Sequence, residues 1–187
     1  MFFLLYSDTY SQKIKHSVGG TVIVLGAHVK TPLRGTVFYR EYSFIMEEVA
    51  LTYFPRINFE TGNNTAFSIG IPVAVGAGIA SDANNDNSGV YFSYDVSAIA
   101  DYNIGKGATE TTEKRFGYFL GAGFSYGYVN LALTTDLNKI SSYGPLIHAG
   151  ARFGIGSSHG ITTGLYYKFG LESMKFTTVG IQVLADL

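Results

Sequence analysis

The segment from Gly89 to Gly105, GVYFSYDVSAIADYNIG, sorts by parity. Val90, Phe92, Tyr94, Val96, Ala98, Ala100, Tyr102 and Ile104 alternate with Tyr91, Ser93, Asp95, Ser97, Ile99, Asp101 and Asn103. Side chains two positions apart share a face of a strand, so this is a strand with one apolar and one polar face. A soluble barrel or sandwich turns the apolar face inward. A membrane barrel turns it to lipid and aims the polar face at its axis.

The same rule organises the rest of the chain. Strands are predicted at Val18 to Val29, Phe44 to Glu60, Phe67 to Ile79, Gly89 to Gly105, Phe116 to Tyr128, Tyr143 to Ile155, Ile161 to Leu171 and Val179 to Leu187. These are eight strands, an even number, in an order that favours neighbour-to-neighbour pairing. In the second, Val49, Leu51, Tyr53, Ile57 and Phe59 oppose Glu48, Ala50, Thr52, Phe54, Arg56 and Asn58, with Glu47 on the apolar side near its beginning. The first is apolar on both parities, so its faces stay unassigned. The connections alternate loosely between long (KTPLRGTVFYREYS, SDANNDNSG, LALTTDLNKISS) and short (TGNN, GSSH), although KGATETTEKR is long where a short turn is expected.

Two observations favour the apolar faces outside. Glu48, Arg56, Asp95, Asp101, Arg152, Lys168 and Asp186 fall on the polar faces, with His148 on the same inward parity. They are too few to coat eight strands in water, but their mixed signs can pair inside a narrow barrel where glycines leave room. The aromatics fall at strand ends: Phe92 and Tyr94 against Tyr102 on one strand, Phe116 and Tyr118 against Tyr126 and Tyr128 on the next. Small apolar residues lie between, as in the two interfacial girdles of a membrane barrel.

Composition agrees. Charged residues make up 14% of the 187, against roughly 25% in soluble domains. A net charge of −1 offers no nucleic-acid footprint. With no cysteine, neither a disulfide framework nor a thiolate metal site can form. The apolar run Ile69 to Ala80 is broken by glycines and Pro72 and falls short of the ~18 residues of a membrane helix, so any membrane crossing must use a closed sheet. Residues 1–11, MFFLLYSDTYS, read as the remnant of an export signal, with Gln12 opening a barrel domain over 12–187.

The carboxyl-terminal VGIQVLADL, with Val179, Ile181, Val183, Ala185 and Leu187 at every second position and Gly180 among them, resembles the terminal strand of small outer-membrane β-barrels of the OmpA/OmpX type. YFPRINFETGNNTAFSIGIPVAVGAGI and GPLIHAGARFGIG are similar to such barrels in Gram-negative bacteria of the Bacteroidetes kind, and the likeness spans roughly residues 17 to 187. It implies a bacterial outer-membrane location, the lipid bilayer as surroundings, and recognition of the last strand as an assembly signal by the barrel-assembly machinery. Leu187 departs from the aromatic residue usual at that end.

Motifs for chemistry are weak. DANNDNSG sets Asp82, Asn84, Asp86 and Ser88 in alternation but lacks the glycine and glutamate of a calcium loop. GIGSSHG and GAGFSYG do not lie between a strand and a helix, as a dinucleotide site requires. His16, His28, His148 and His159 have no metal-ligand spacing. No cofactor is expected, nor an enzyme. The reading is an all-β, eight-stranded antiparallel up-and-down transmembrane barrel with both termini periplasmic and its interior filled by side chains. It acts as a structural or surface-interaction protein whose outer loops, including Tyr42 and Asp82 to Ser88, meet the exterior. A narrow pore lined by the inward charges, and a soluble lipocalin-like carrier with the faces reversed, are the alternatives.

Overall fold

A computed structural model of the chain describes residues 13–32, 39–82, 88–109, 112–131, 139–155, 159–171 and 175–187. The expected signal remnant and most of the Asp82 to Ser88 loop lie outside them, as does the side chain of Tyr42. The strands are β1 (Lys13–Pro32), β2 (Tyr39–Gly62), β3 (Thr65–Gly70), β4 (Val73–Asp82), β5 (Ser88–Gly105), β6 (Phe116–Leu131), β7 (Lys139–Ile155), β8 (His159–Phe169) and β9 (Lys175–Asp186). All pair antiparallel, and β1 bonds both β2 and β9, so the sheet closes into a ring without an open edge between first and last strands.

The nine strands make eight staves. β3 and β4 both pair with β2 on one side and β5 on the other, and they are separated only at Ile71 and Pro72. Proline has no N–H to give the ladder, which interrupts the third predicted strand. The seam is held by Ile71 N–H to Pro55 O and Ser97 N–H to Pro72 O, both 3.0 Å. β1 and β2 run further than predicted. Because β2 starts at Tyr39, Glu47 lies well inside it, outward among Val24, Val49 and Ile79.

The apolar parities face out. Val73, Val96 and Val183 are 37%, 39% and 53% exposed, which reverses the arrangement a lipocalin-like carrier needs. The inward parities pack around the axis in two unlike halves. Toward the termini they are polar, whereas at the opposite end Ile23, Leu25, Phe44, Met46, Val129 and Ile140 form an apolar cluster. Ionic groups were expected to fill the interior, but only part of it is ionic. The cluster also resolves β1: Ser17, Thr21, Ile23 and Leu25 point in while Val22 and Val24 point out.

Candidate functional site

The interior is built from side chains that the closure of the ring brings together. Nearest the termini, Arg56 of β2 donates from Nη1 to Ser17 Oγ (2.7 Å) and from Nη2 to Asp186 Oδ1 (3.3 Å). Asp186 also accepts from the hydroxyls of Ser17 (2.6 Å) and Thr162 (2.9 Å). Arg152, 0% exposed, donates to Asn103 Oδ1 and lays its guanidinium 4.5 Å over the Phe119 ring. Among the described residues, Nε of both arginines, and Nη2 of Arg152, have no hydrogen-bond partner.

Beyond this layer His148 Nδ1 lies 3.1 Å from Asp101 Oδ1, and Gln182 Nε2 lies 2.6 Å from His148 Nε2. The imidazole is thus held between a carboxylate on one ring nitrogen and an amide on the other. Phe54 and Phe119 close over the imidazole. Further along, the Lys168 ammonium donates to Asp95, which also accepts from Ser97 (3.0 Å) and Ser125 (3.1 Å). Ser93 donates to Glu48 at 2.6 Å. Asp95 and Lys168 line both of two small cavities of about 50 and 30 Å³, so this ion pair stands between them. Such volumes hold a few waters at most.

The eight inward residues predicted from sequence therefore all point inside, Asp95, Lys168 and Asp186 half-buried and the others buried. They do not join into one ionic network. Asp95 pairs with Lys168 and Asp101 with His148, Arg56 pairs with Asp186, Arg152 rests on an amide and a ring, and Glu48 accepts from a serine. Ser17, Asn103, Thr162 and Gln182 complete these contacts and were missed, although each has inward parity, because an uncharged polar residue gives no signal of its own.

The outward residues fall as the parity requires. Phe92, Tyr94, Tyr102, Phe116, Tyr118 and Tyr126 are exposed and Tyr128 is half-buried. Tyr94 and Tyr128 are register partners with rings stacked at 5.0 Å, and Phe116 contacts Tyr118 and Phe153 edge-on at 4.5 and 4.9 Å. In β9, Val179, Ile181, Val183 and Ala185 face out with Leu187 just beyond, whereas Gly180 is buried inside under the Tyr166 ring.

Gly150 and Gly164 are register partners that leave the space Phe119 occupies, and Phe119 in turn supports Arg152 and His148. A Cβ on Gly150 would meet both Phe119 Cζ and the Thr163 carbonyl. Gly150→Val is expected to cost ~1–3 kcal/mol by overpacking, read as a lowered urea midpoint of the folded barrel. Gly20→Val, at a position with open space, serves as control. Equal stability of the two variants would refute this role.

The long connection from β5 to β6 folds back over the mouth at the terminus end. Gly105 and Gly107 take φ values of 79° and 82°, the left-handed region that glycine tolerates. Asn58 then donates to the carbonyls of Gly107 (2.8 Å) and Ala108 (2.9 Å), and Ala108 is 0% exposed. Thr109 and Thr112 bond Asn63 O and Asn64 Oδ1 of the β2–β3 turn at 2.9 and 2.6 Å. Gly107 to Thr109, within the extra length of this connection, thus help to cover the mouth.

No protein-family model and no curated protein matches the sequence. Solved structures do match the fold. The outer membrane protein OprG of Pseudomonas aeruginosa superposes with a TM-score of 0.57 at 8% identity, over 94% of this chain and 95% of that one. Neisserial surface protein A superposes with a TM-score of 0.50 at 12% identity, over 92% and 96%. The chain has the all-β fold of the small outer-membrane β-barrels.

Proposed function

We propose that this chain is an integral barrel of a bacterial outer membrane, its termini periplasmic and its interior closed to solutes, which acts by presenting the β1–β2 ribbon and neighbouring loops to the exterior. The observation that carries the reading is the register. The β1–β2 ladder continues to Pro32 opposite Tyr39, while β9 begins at Lys175 opposite His28 and β4 ends at Asp82 opposite Phe44. Residues 29–32 of β1 and 39–42 of β2 therefore have no second ladder partner among the described residues. Such edges can template an added strand from another chain. Closure is supported by the covered mouth, the buried arginine layer and the apolar cluster, which follow one another along the axis.

The absence of cysteine makes a clean test possible. Thr31→Cys is expected to react with a membrane-impermeant maleimide in intact cells, and Glu113→Cys only after the outer membrane is permeabilised. The reverse pattern overturns the orientation. In planar bilayers the pure protein is expected to give no steady conductance. Regular channels altered by Lys168→Ala would favour the pore instead.

A further inference from the structure

The barrel's outer rim at the terminus end carries a groove of about 410 Å³ lined by Ile104, Gly105, Lys114, Arg115, Phe116 and Tyr118. Its lining is almost wholly apolar, with the cationic residues at its border. Ile104, Phe116 and Tyr118 continue the outward apolar face, whereas Lys114 and Arg115 add two cations at its edge. Neither forms an ion pair with another described residue. Glu113, the nearest acid in sequence, lines the adjoining groove with Asn63, Asn64 and Lys114.

The backbone next to the basic pair is tied down at Arg115 and Phe116. Gly154 N–H donates to Arg115 O at 2.8 Å, Lys106 N–H to Phe116 O at 3.0 Å, and Ala108 N–H to Gly105 O at 3.1 Å. These bonds tie the returning chain to β7 and to the turn, so the cations stand where the apolar wall ends. Long basic side chains at such a boundary place their charge at headgroup level, and fixing the segment beforehand lowers the ordering cost of binding.

We infer that this groove is a binding site for an anionic phospholipid of the periplasmic leaflet, its phosphate between Lys114 and Arg115 and an acyl chain along Ile104, Phe116 and Tyr118. The inference rests on the membrane orientation proposed above. Charge complementarity selects the headgroup: a zwitterionic lipid brings an ammonium that two cations repel, whereas a glycerol headgroup leaves the phosphate charge uncompensated. Continuity with the apolar face selects a lipid over a free phosphate.

The full chain, first shown to float with vesicles, is examined by native mass spectrometry after exposure to equimolar phosphatidylglycerol and phosphatidylethanolamine. Retention of phosphatidylglycerol is expected to be roughly tenfold favoured, as two cations near a headgroup allow. Lys114→Gln with Arg115→Gln brings the ratio to parity, Glu113→Gln preserves it, and free glycerol phosphate does not displace the lipid. Parity in the unaltered chain, an undiminished preference in the double variant, or displacement by glycerol phosphate overturns the site. A chain that floats yet shows parity overturns the lipid site alone. A chain that fails to float overturns the membrane reading and the site with it.

Discussion

Asp186→Leu is expected to destabilise the folded barrel by ~3–5 kcal/mol, the cost of leaving one member of a buried ion pair without its counter-charge. Arg56 is 2% exposed, and among the described residues its guanidinium hydrogen-bonds Ser17 and Asp186. Removing the carboxylate strands the guanidinium and releases the hydroxyls of Ser17 and Thr162 together. Asp186→Asn, which keeps an acceptor but not the charge, is expected to lose less. Arg56→Met combined with Asp186→Leu is expected to regain much of the loss, since an apolar pair of similar volume removes the unpaired charge. Equilibrium urea unfolding in vesicles reads all three. If the single and double variants fell equally far, the ion pair would not be the cause.

The second large effect concerns the outer face. Ala98 is exposed and lies midway along β5 between Tyr94 and Tyr102. Arginine at the centre of a lipid-facing strand costs ~2–4 kcal/mol. On a water-facing surface the same change is usually within about ±0.5 kcal/mol. Ala98→Arg is therefore expected to lower the unfolding free energy in vesicles by the larger amount, while Asn130→Arg, near the far end of β6, costs much less. An Ala98→Arg barrel as stable as the parent would contradict lipid contact at this level.

Much of the fold was readable because alternation is local. The parity of β5 shows that Asp95 and Asp101 share a face opposite Val96 and Ala100, and the ladder from Tyr91↔Leu131 to Gly105↔Gly117 preserves that face through β6. The same reasoning failed on β1, where Ile23 and Leu25 are as apolar as Val22 and Val24. The inward pair meets the apolar cluster formed with Phe44, Met46 and Ile140, which arrive from other strands. No local period can distinguish lipid from an apolar interior. The interruption at Pro72 was visible as a residue, but not its result of two ladders on one stave.

The candidate site was less readable. Charge and parity together identified which ionisable side chains turn inward, but not which ones meet. Asp186 stands beside Ser17 because closure sets β9 against β1, and Arg56 reaches the same carboxylate from β2. The covering of the mouth by Gly107 and Ala108 likewise depends on Asn58, a residue whose sequence context suggests no such partner.

By itself, then, the sequence determined for every strand but β1 which side chains face outward and which face the axis, because a strand alternates its side chains every residue whatever surrounds it. Tertiary structure alone decided the division of the interior into an apolar and a polar half, the partners of each charge and the covered mouth. Those depend on stagger and ring closure, which join residues distant along the chain.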